Sequence, residues 1–157
     1  MKKNYGKQFE QHFKKDFLES IPNSTIDRLQ DQQSRYMGSN NICDFIGYTK
    51  PNIFYIECKC HYENTFPFSN LTQYDELLQK VGIPGVRTGV VIWFIDHDLV
   101  VYVPISTITK MKENGDKSVH AIKSLKKYDS IRVIPSTKLR VFLKSDYSIL
   151  KDLKDGE

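Results

Sequence analysis

The stretch GVVIWFIDHDLVVYVPI, residues 89–105, constrains the fold of this chain more than any other. Two near-continuous apolar runs, 89–96 and 99–105, are separated only by His97 and Asp98. Runs without polar alternation belong to strands buried on both faces, and so short a link makes them a hairpin or adjacent strands. A chain with such a pair must cover both sides of its sheet, and the remaining segments supply the cover. Phe9, Phe13 and Phe17 recur every fourth residue, which predicts a helix over 6–19 with one aromatic face. Pro22, Asn23 and Ser24 end it.

Residues 24–29 read as a short strand and the polar stretch 30–41 as a loop. Residues 42–48 and 53–62 are strands joined by a turn at 50–52, and 64–70 is irregular. A second helix is predicted over 71–82 from Leu71, Tyr74, Leu77 and Leu78, with Gly82 as its stop. Residues 106–112 suggest a short helix, 113–118 a turn, 119–128 a helix or irregular basic segment, and 130–135 and 139–145 strands. The expected architecture is a single α/β domain spanning 1–157, with a central mixed sheet flanked by helices. Hydrophobic residues make up 39% of the chain and charged residues 27%, as in ordinary globular proteins. No apolar run approaches the ~20 residues needed to span a bilayer. The basic N-terminus lacks the apolar core of a signal peptide, so the cytosol is the expected compartment and the three cysteines are expected as thiols.

The strand NIFYIECKCHY, residues 52–62, begins apolar and then admits Glu57 and Lys59. Side chains alternate along a strand, so Tyr55, Glu57, Lys59 and His61 share one face, while Phe54, Ile56, Cys58 and Cys60 share the other. Two carboxylates and a lysine suit metal-assisted phosphodiester hydrolysis. Mg²⁺ takes oxygen ligands and keeps several waters, so Glu57 with Asp44 on a paired strand could hold it. Lys59 could orient the attacking water and stabilise negative charge. Two other readings stay open: Glu57 and Lys59 as an inert ion pair, and a zinc site drawing on Cys43, Cys58, Cys60 and His61. Charge is uneven as well. Ten lysines and arginines from Lys110 to Lys144, Lys117 among them, face only Glu113, Asp116 and Asp129. Such an imbalance fits a phosphate-binding surface or a solvated lysine face.

In this order the motifs resemble the PD-(D/E)XK nuclease superfamily, and more closely the RecU-type Holliday junction resolvases of Gram-positive bacteria and their phages. Asp44 followed by Glu57-Cys58-Lys59 carries the resemblance, supported by NYGKQFE, DFIG, TFPFSN and GDKSV. It implies a restriction-endonuclease-like core and a homodimer that resolves four-way DNA junctions, each subunit cutting one strand to leave a 5′-phosphate. It implies Mg²⁺, replaceable by Mn²⁺, on Asp44, Glu57 and the Cys58 carbonyl, with Lys59 positioning water and Glu10 organising the site. Gln73, Lys117, Arg28 and Arg35 are the implied DNA contacts. Gln73 stands two residues nearer Asn70 than the family's glutamine, whose place Asp75 takes. The family's long stalk before the catalytic aspartate is here only residues 21–42. A restriction-type or nicking endonuclease on duplex DNA, and a non-catalytic DNA-binding protein, are the competing readings. No membrane role is expected, and a recombinase partner is not identified.

Overall fold

The computed structural model describes residues 2–30 and 41–157. The first helix, α1 (Gly6–Ser20), forms over the predicted span, opened by Asn4, whose side-chain oxygen accepts the Gly6 N–H at 2.9 Å. Strands β1 (Thr25–Arg28), β2 (Phe45–Thr49) and β3 (Asn52–His61) follow as an antiparallel meander. Short elements come next: β4 (Thr65–Pro67), a 3₁₀ turn at Phe68–Asn70, and α2 (Tyr74–Leu78). The apolar pair of strands is β5 (Val86–Phe94) and β6 (Leu99–Pro104), joined antiparallel through a 3₁₀ turn at Ile95–His97. Then come α3 (Ile105–Glu113), β7 (Ser118–His120), α4 (Lys123–Lys127), β8 (Arg132–Ile134), β9 (Ser136–Lys138) and β10 (Leu143–Ser145).

The main sheet has the order β1-β2-β3-β5-β6-β8. Every pair is antiparallel except β3 with β5, so the expected single α/β domain with a mixed sheet is what forms. A parallel pair cannot be closed by a tight turn, so the chain between them must cross over one face. That crossover carries β4 and α2. Both faces of the sheet are covered, as the two apolar runs require. On one side α1 and the C-terminal segment pack Phe9, Phe13, Phe17, Leu143, Tyr147 and Leu150 against Phe54, Ile56, Cys58, Val91 and Trp93. On the other, Phe66, Phe68, Leu77, Ile105, Ile108 and Met111 pack against Val90, Ile92, Val101 and Val103.

The three phenylalanines of α1 are at most 5% exposed, and each fully buried ring contributes about 1.5–3 kcal/mol of transfer free energy. Asp16 lies on the same face and is also buried, because its Oδ2 accepts the Ser145 N–H at 2.9 Å and ties β10 to the helix. Burial nonetheless raises its carboxyl above the usual range. No helix among the described residues is long and apolar enough to cross a membrane.

Several local expectations change. The second helix shrinks from residues 71–82 to a five-residue turn in which only Leu77 is buried, too little packing surface to hold more. Gly82 sits beyond it with φ +85°, in the turns leading to β5. The segments expected as irregular at 64–70 and mixed at 119–128 contribute β4 and β7, which pair with each other as a small second sheet. The basic region is not one surface: residues up to Lys127 belong to the α3–α4 layer, whereas Lys138 to Lys144 lie on the β9–β10 hairpin beside α1.

A Cβ built on Gly89 would overlap the ring of Tyr102, which is fully buried and donates its hydroxyl to the Glu157 carbonyl at 2.9 Å. The glycine leaves room for that ring to lie across β5 on the face of the sheet. Gly89→Ala is therefore expected to destabilise the fold by about 1–3 kcal/mol through overpacking. Urea unfolding checks it; an unchanged midpoint would mean that the ring has room to move.

Candidate active site

β3 is the third strand of six, and this placement turns its charged residues into an interior problem. Glu57 pairs in register with Val90 and Lys59 with Ile92, so both side chains enter the layer formed by α2, α3 and the β4–β7 pair. Glu57 is only 2% exposed. Its Oε1 lies 3.2 Å from the Lys59 Nζ, while its Oε2 is buried without a hydrogen-bond partner among the described residues. The Lys59 side chain keeps about a quarter of its surface in solvent, enough to meet a substrate.

Asp44 stands just before β2, one step past the last register pair of the hairpin, Phe45 with Ile56. Its carbonyl accepts the Leu29 N–H at 2.7 Å, which extends the pairing with β1. On the other side the ladder has ended, and the Asp44 Oδ2 accepts an N–H further along β3, that of Cys58, at 2.9 Å. In an extended strand a residue's N–H and C=O point to the same edge, so the Cys58 carbonyl opens toward Asp44 too. The hairpin therefore brings Asp44, Glu57 and Lys59 together, as their spacing predicts.

Burial, and then the neighbouring Asp44 charge, push the Glu57 carboxyl up to about 8, against the lowering effect of Lys59. Two carboxyl groups thus share one ammonium, and one of their oxygens has no donor among the described residues. These oxygens fit a hard divalent cation held by Asp44, Glu57 and the Cys58 carbonyl. Among the described residues no three or more His, Cys, Asp or Glu side chains form a metal cluster. Mg²⁺ needs no such cage, because one or two carboxylates with waters and a substrate phosphate suffice. Zinc finds no common site among the thiols: Cys58 packs in the α1 layer and Cys43 in the opposite one. Burial holds both thiols well above their ordinary range.

The other expected residues are placed as follows. Glu10 projects from α1 and pairs with Arg28, Nε to Oε2 at 2.5 Å, while Arg28 also donates to the Leu29 carbonyl at 2.8 Å. Glu10 and Arg28, read separately as a metal-site organiser and a DNA contact, are thus partners. With Lys7, Gln11, Lys14 and Phe45 they line a cleft of about 320 Å³. Phe45, the neighbour of Asp44 in the chain, forms part of that cleft, and the charge of Glu10 acts on the Cys58 thiol, which packs in the α1 layer on the face of β3 opposite Glu57. Gln73 precedes α2, its side-chain oxygen accepts the Thr72 hydroxyl at 3.1 Å, and it makes no hydrogen bond to the trio among the described residues. Lys117 is exposed before β7, in a cleft with Phe68, Ser69 and Lys112. Arg35 lies outside the described residues.

Two pairings escape sequence reasoning. Arg28 meets Glu10 across 18 residues, and the Lys112 ammonium sits 3.6 Å from the Tyr74 ring centre. Neither pairing has a periodic or local signal.

No family model matches the sequence, and no curated protein is similar to it. The structure is similar to that of Hjc from Archaeoglobus fulgidus, a Holliday junction resolvase from an archaeal hyperthermophile, with a TM-score of 0.52. The two chains are 17% identical, and the match covers 72% of this chain and 84% of that one. What they share at this identity is the fold.

Glu57 gives a pH signature in the metal-free protein. Its folded-state pKa is raised, so its stabilising contribution is complete below about 4.5 and is lost as pH rises through about 8. With chelator present, Glu57→Gln should match the wild type near pH 4.5. By pH 9 it should be clearly the more stable, because a carboxyl that binds its proton more tightly in the folded state costs stability once it ionises. Denaturant unfolding across that range decides, and a difference independent of pH would contradict the raised value.

Proposed function

We propose that this chain is a Mg²⁺-dependent, structure-specific DNA endonuclease that resolves four-way junctions. The observation that carries the reading is the buried, unpartnered Oε2 of Glu57 beside Asp44, with the Lys59 ammonium 3.2 Å from the other oxygen. Mg²⁺, or Mn²⁺ in its place, would neutralise charge on the scissile phosphate and acidify a bound water. The chain's own residues do the rest. Asp44 is locked in place by the Cys58 N–H, and Glu57 is immobilised by the packed layer that its side chain enters. Lys59 can turn from Glu57 toward a phosphate oxygen or the attacking water and stabilise the developing negative charge. In-line attack by water breaks the bond to the 3′ oxygen and leaves a 5′-phosphate. Glu10, held by Arg28, is assigned to ordering the water shell of this site.

The shared fold with an archaeal Holliday junction resolvase supports a junction as substrate. Symmetric cleavage of a four-way junction calls for two sites related by a two-fold axis, hence a homodimer. Lys117 and Arg28 are assigned to the DNA backbone, as is Arg35. Gln73 is kept as a more distant contact, and the cytoplasm is the proposed setting.

The test is a labelled mobile junction beside a matched linear duplex, each with Mg²⁺ and with chelator. Paired cuts in the junction alone, abolished by chelator, are expected. Cutting of the linear duplex would move the protein to the restriction or nicking class. Absence of any Mg²⁺-dependent cleavage would leave a non-catalytic DNA-binding protein. Lys59→Ala should lower cleavage at least about 100-fold while leaving junction binding nearly intact. Lost binding would make Lys59 a structural residue.

A further inference from the structure

On the side of the sheet that buries Glu57, β7 and α4 build a second polar cluster that the cleavage chemistry leaves unused. β7 hangs from the chain leaving β3. Phe68 N–H donates to the Lys117 carbonyl at 3.0 Å, Ala121 N–H to the Asn64 carbonyl at 2.8 Å, and Thr65 stands opposite His120. Main-chain bonds therefore set the position of this cluster relative to the end of β3. Lys117, Ser118, His120, Lys123 and Lys127 ring a cleft of about 150 Å³. It adjoins the larger cleft at Phe68 and Lys112 through Asp116 and Lys117, which line both.

His120 is held in one tautomer. Its Nδ1 accepts the N–H of Ile122 at 3.0 Å and that of Lys123 at 3.2 Å. A ring nitrogen that accepts has no proton, so the neutral imidazole carries its proton on Nε2. The His120 main-chain N–H donates to Ser124 Oγ at 2.8 Å, which steadies the turn. The Nε2–H points away from the main chain that the ring caps, and it has no partner among the described residues. Charge around it is surplus positive. Lys117 and Lys123 are exposed and form no ion pair among the described residues. Asp116, the lone carboxylate in the cleft among the described residues, is engaged by the Tyr128 hydroxyl at 2.5 Å and by Lys127 at 3.4 Å.

We propose that this cleft is a phosphodiester-binding subsite, in which the His120 Nε2–H donates to a phosphate oxygen while Lys117 and Lys123 supply charge. A directed neutral donor beside mobile ammonium groups suits a singly charged phosphodiester. Two adjoining clefts that share Lys117 suit successive phosphates of one strand better than a lone anion. The identity of the polymer rests on the nuclease reading; the binding does not require cleavage.

Fluorescence anisotropy of a labelled junction and a labelled duplex, with chelator and over a salt series, tests it. The Oδ1 of an asparagine can accept the two N–H groups that Nδ1 caps, but asparagine has no donor at the Nε2 position. His120→Asn should keep the unfolding midpoint and weaken DNA binding roughly 3–10-fold, the value of one hydrogen bond. Lys123→Ala should weaken binding and reduce the slope of log K against log salt by about 1. Lys151→Ala, exposed elsewhere on the chain, should change neither. Wild-type affinity and slope in both variants would overturn the proposal and leave His120 as a cap alone. Should His120→Asn lower the midpoint, Lys123→Ala decides by itself. Binding that depends on both residues in a protein that cleaves nothing would support the subsite and refute the nuclease reading. Cleavage by the wild type with normal binding by both variants would do the reverse.

Discussion

A carboxylate set into the third of six strands, with packed layers on both sides, is the constraint on which the rest of this structure depends. An ionised group there loses its hydration and must find compensation or take up a proton. Glu57 has one ammonium within reach and one oxygen with no donor among the described residues. Asp44 adds a second negative charge instead of relieving the first. Such a core is less stable than one with an apolar residue at the same position. Buried groups with displaced pKa values and a specific charged neighbour are what functional sites have in common. The two aromatic and aliphatic layers supply the stability that allows the defect to persist.

The same strand organises the surface that would meet a ligand. Because β3 and β5 run parallel, the chain between them has to cross the sheet, and it does so on the side that Glu57 faces. That crossover carries β4, and β4 recruits β7 from beyond α3. Lys117 and His120 are delivered to this side by those pairings, beside Lys112 of α3. The hairpin of β9 and β10 takes the remaining basic residues to the opposite layer, beside α1. What reads in the sequence as one basic half is therefore two separate surfaces, of which only the first lies on the Glu57 side.

The trio itself was legible because its geometry is local. A short turn joins β2 to β3, and strand alternation then dictates which side chains share a face. The aromatic face of α1 and the apolar pair β5–β6 were legible for the same reason, as their periodicity survives any tertiary context. The helix predicted over 71–82 failed because amphipathic spacing states a preference that packing must reward. Leu77 is the one residue of the helix that formed to find a buried place; Leu71 is buried too, but in the turn before it, while Leu78 remains 37% exposed. The three-residue strands β4 and β7 carry no periodic signal, since each exists only by virtue of the other.

By itself the sequence determined the covered sheet, the aromatic helix, and the separation of Cys58 and Cys60 from Glu57 and Lys59 on β3. All of these follow from side-chain period and apolar content along one continuous segment. Only the tertiary structure decided that Glu57 is sealed from water, that Glu10 and Arg28 answer each other, and that the turn carrying His120 is anchored to β4. Those facts depend on which strands become neighbours. That choice is made by the summed burial of the whole chain, and no segment carries it alone.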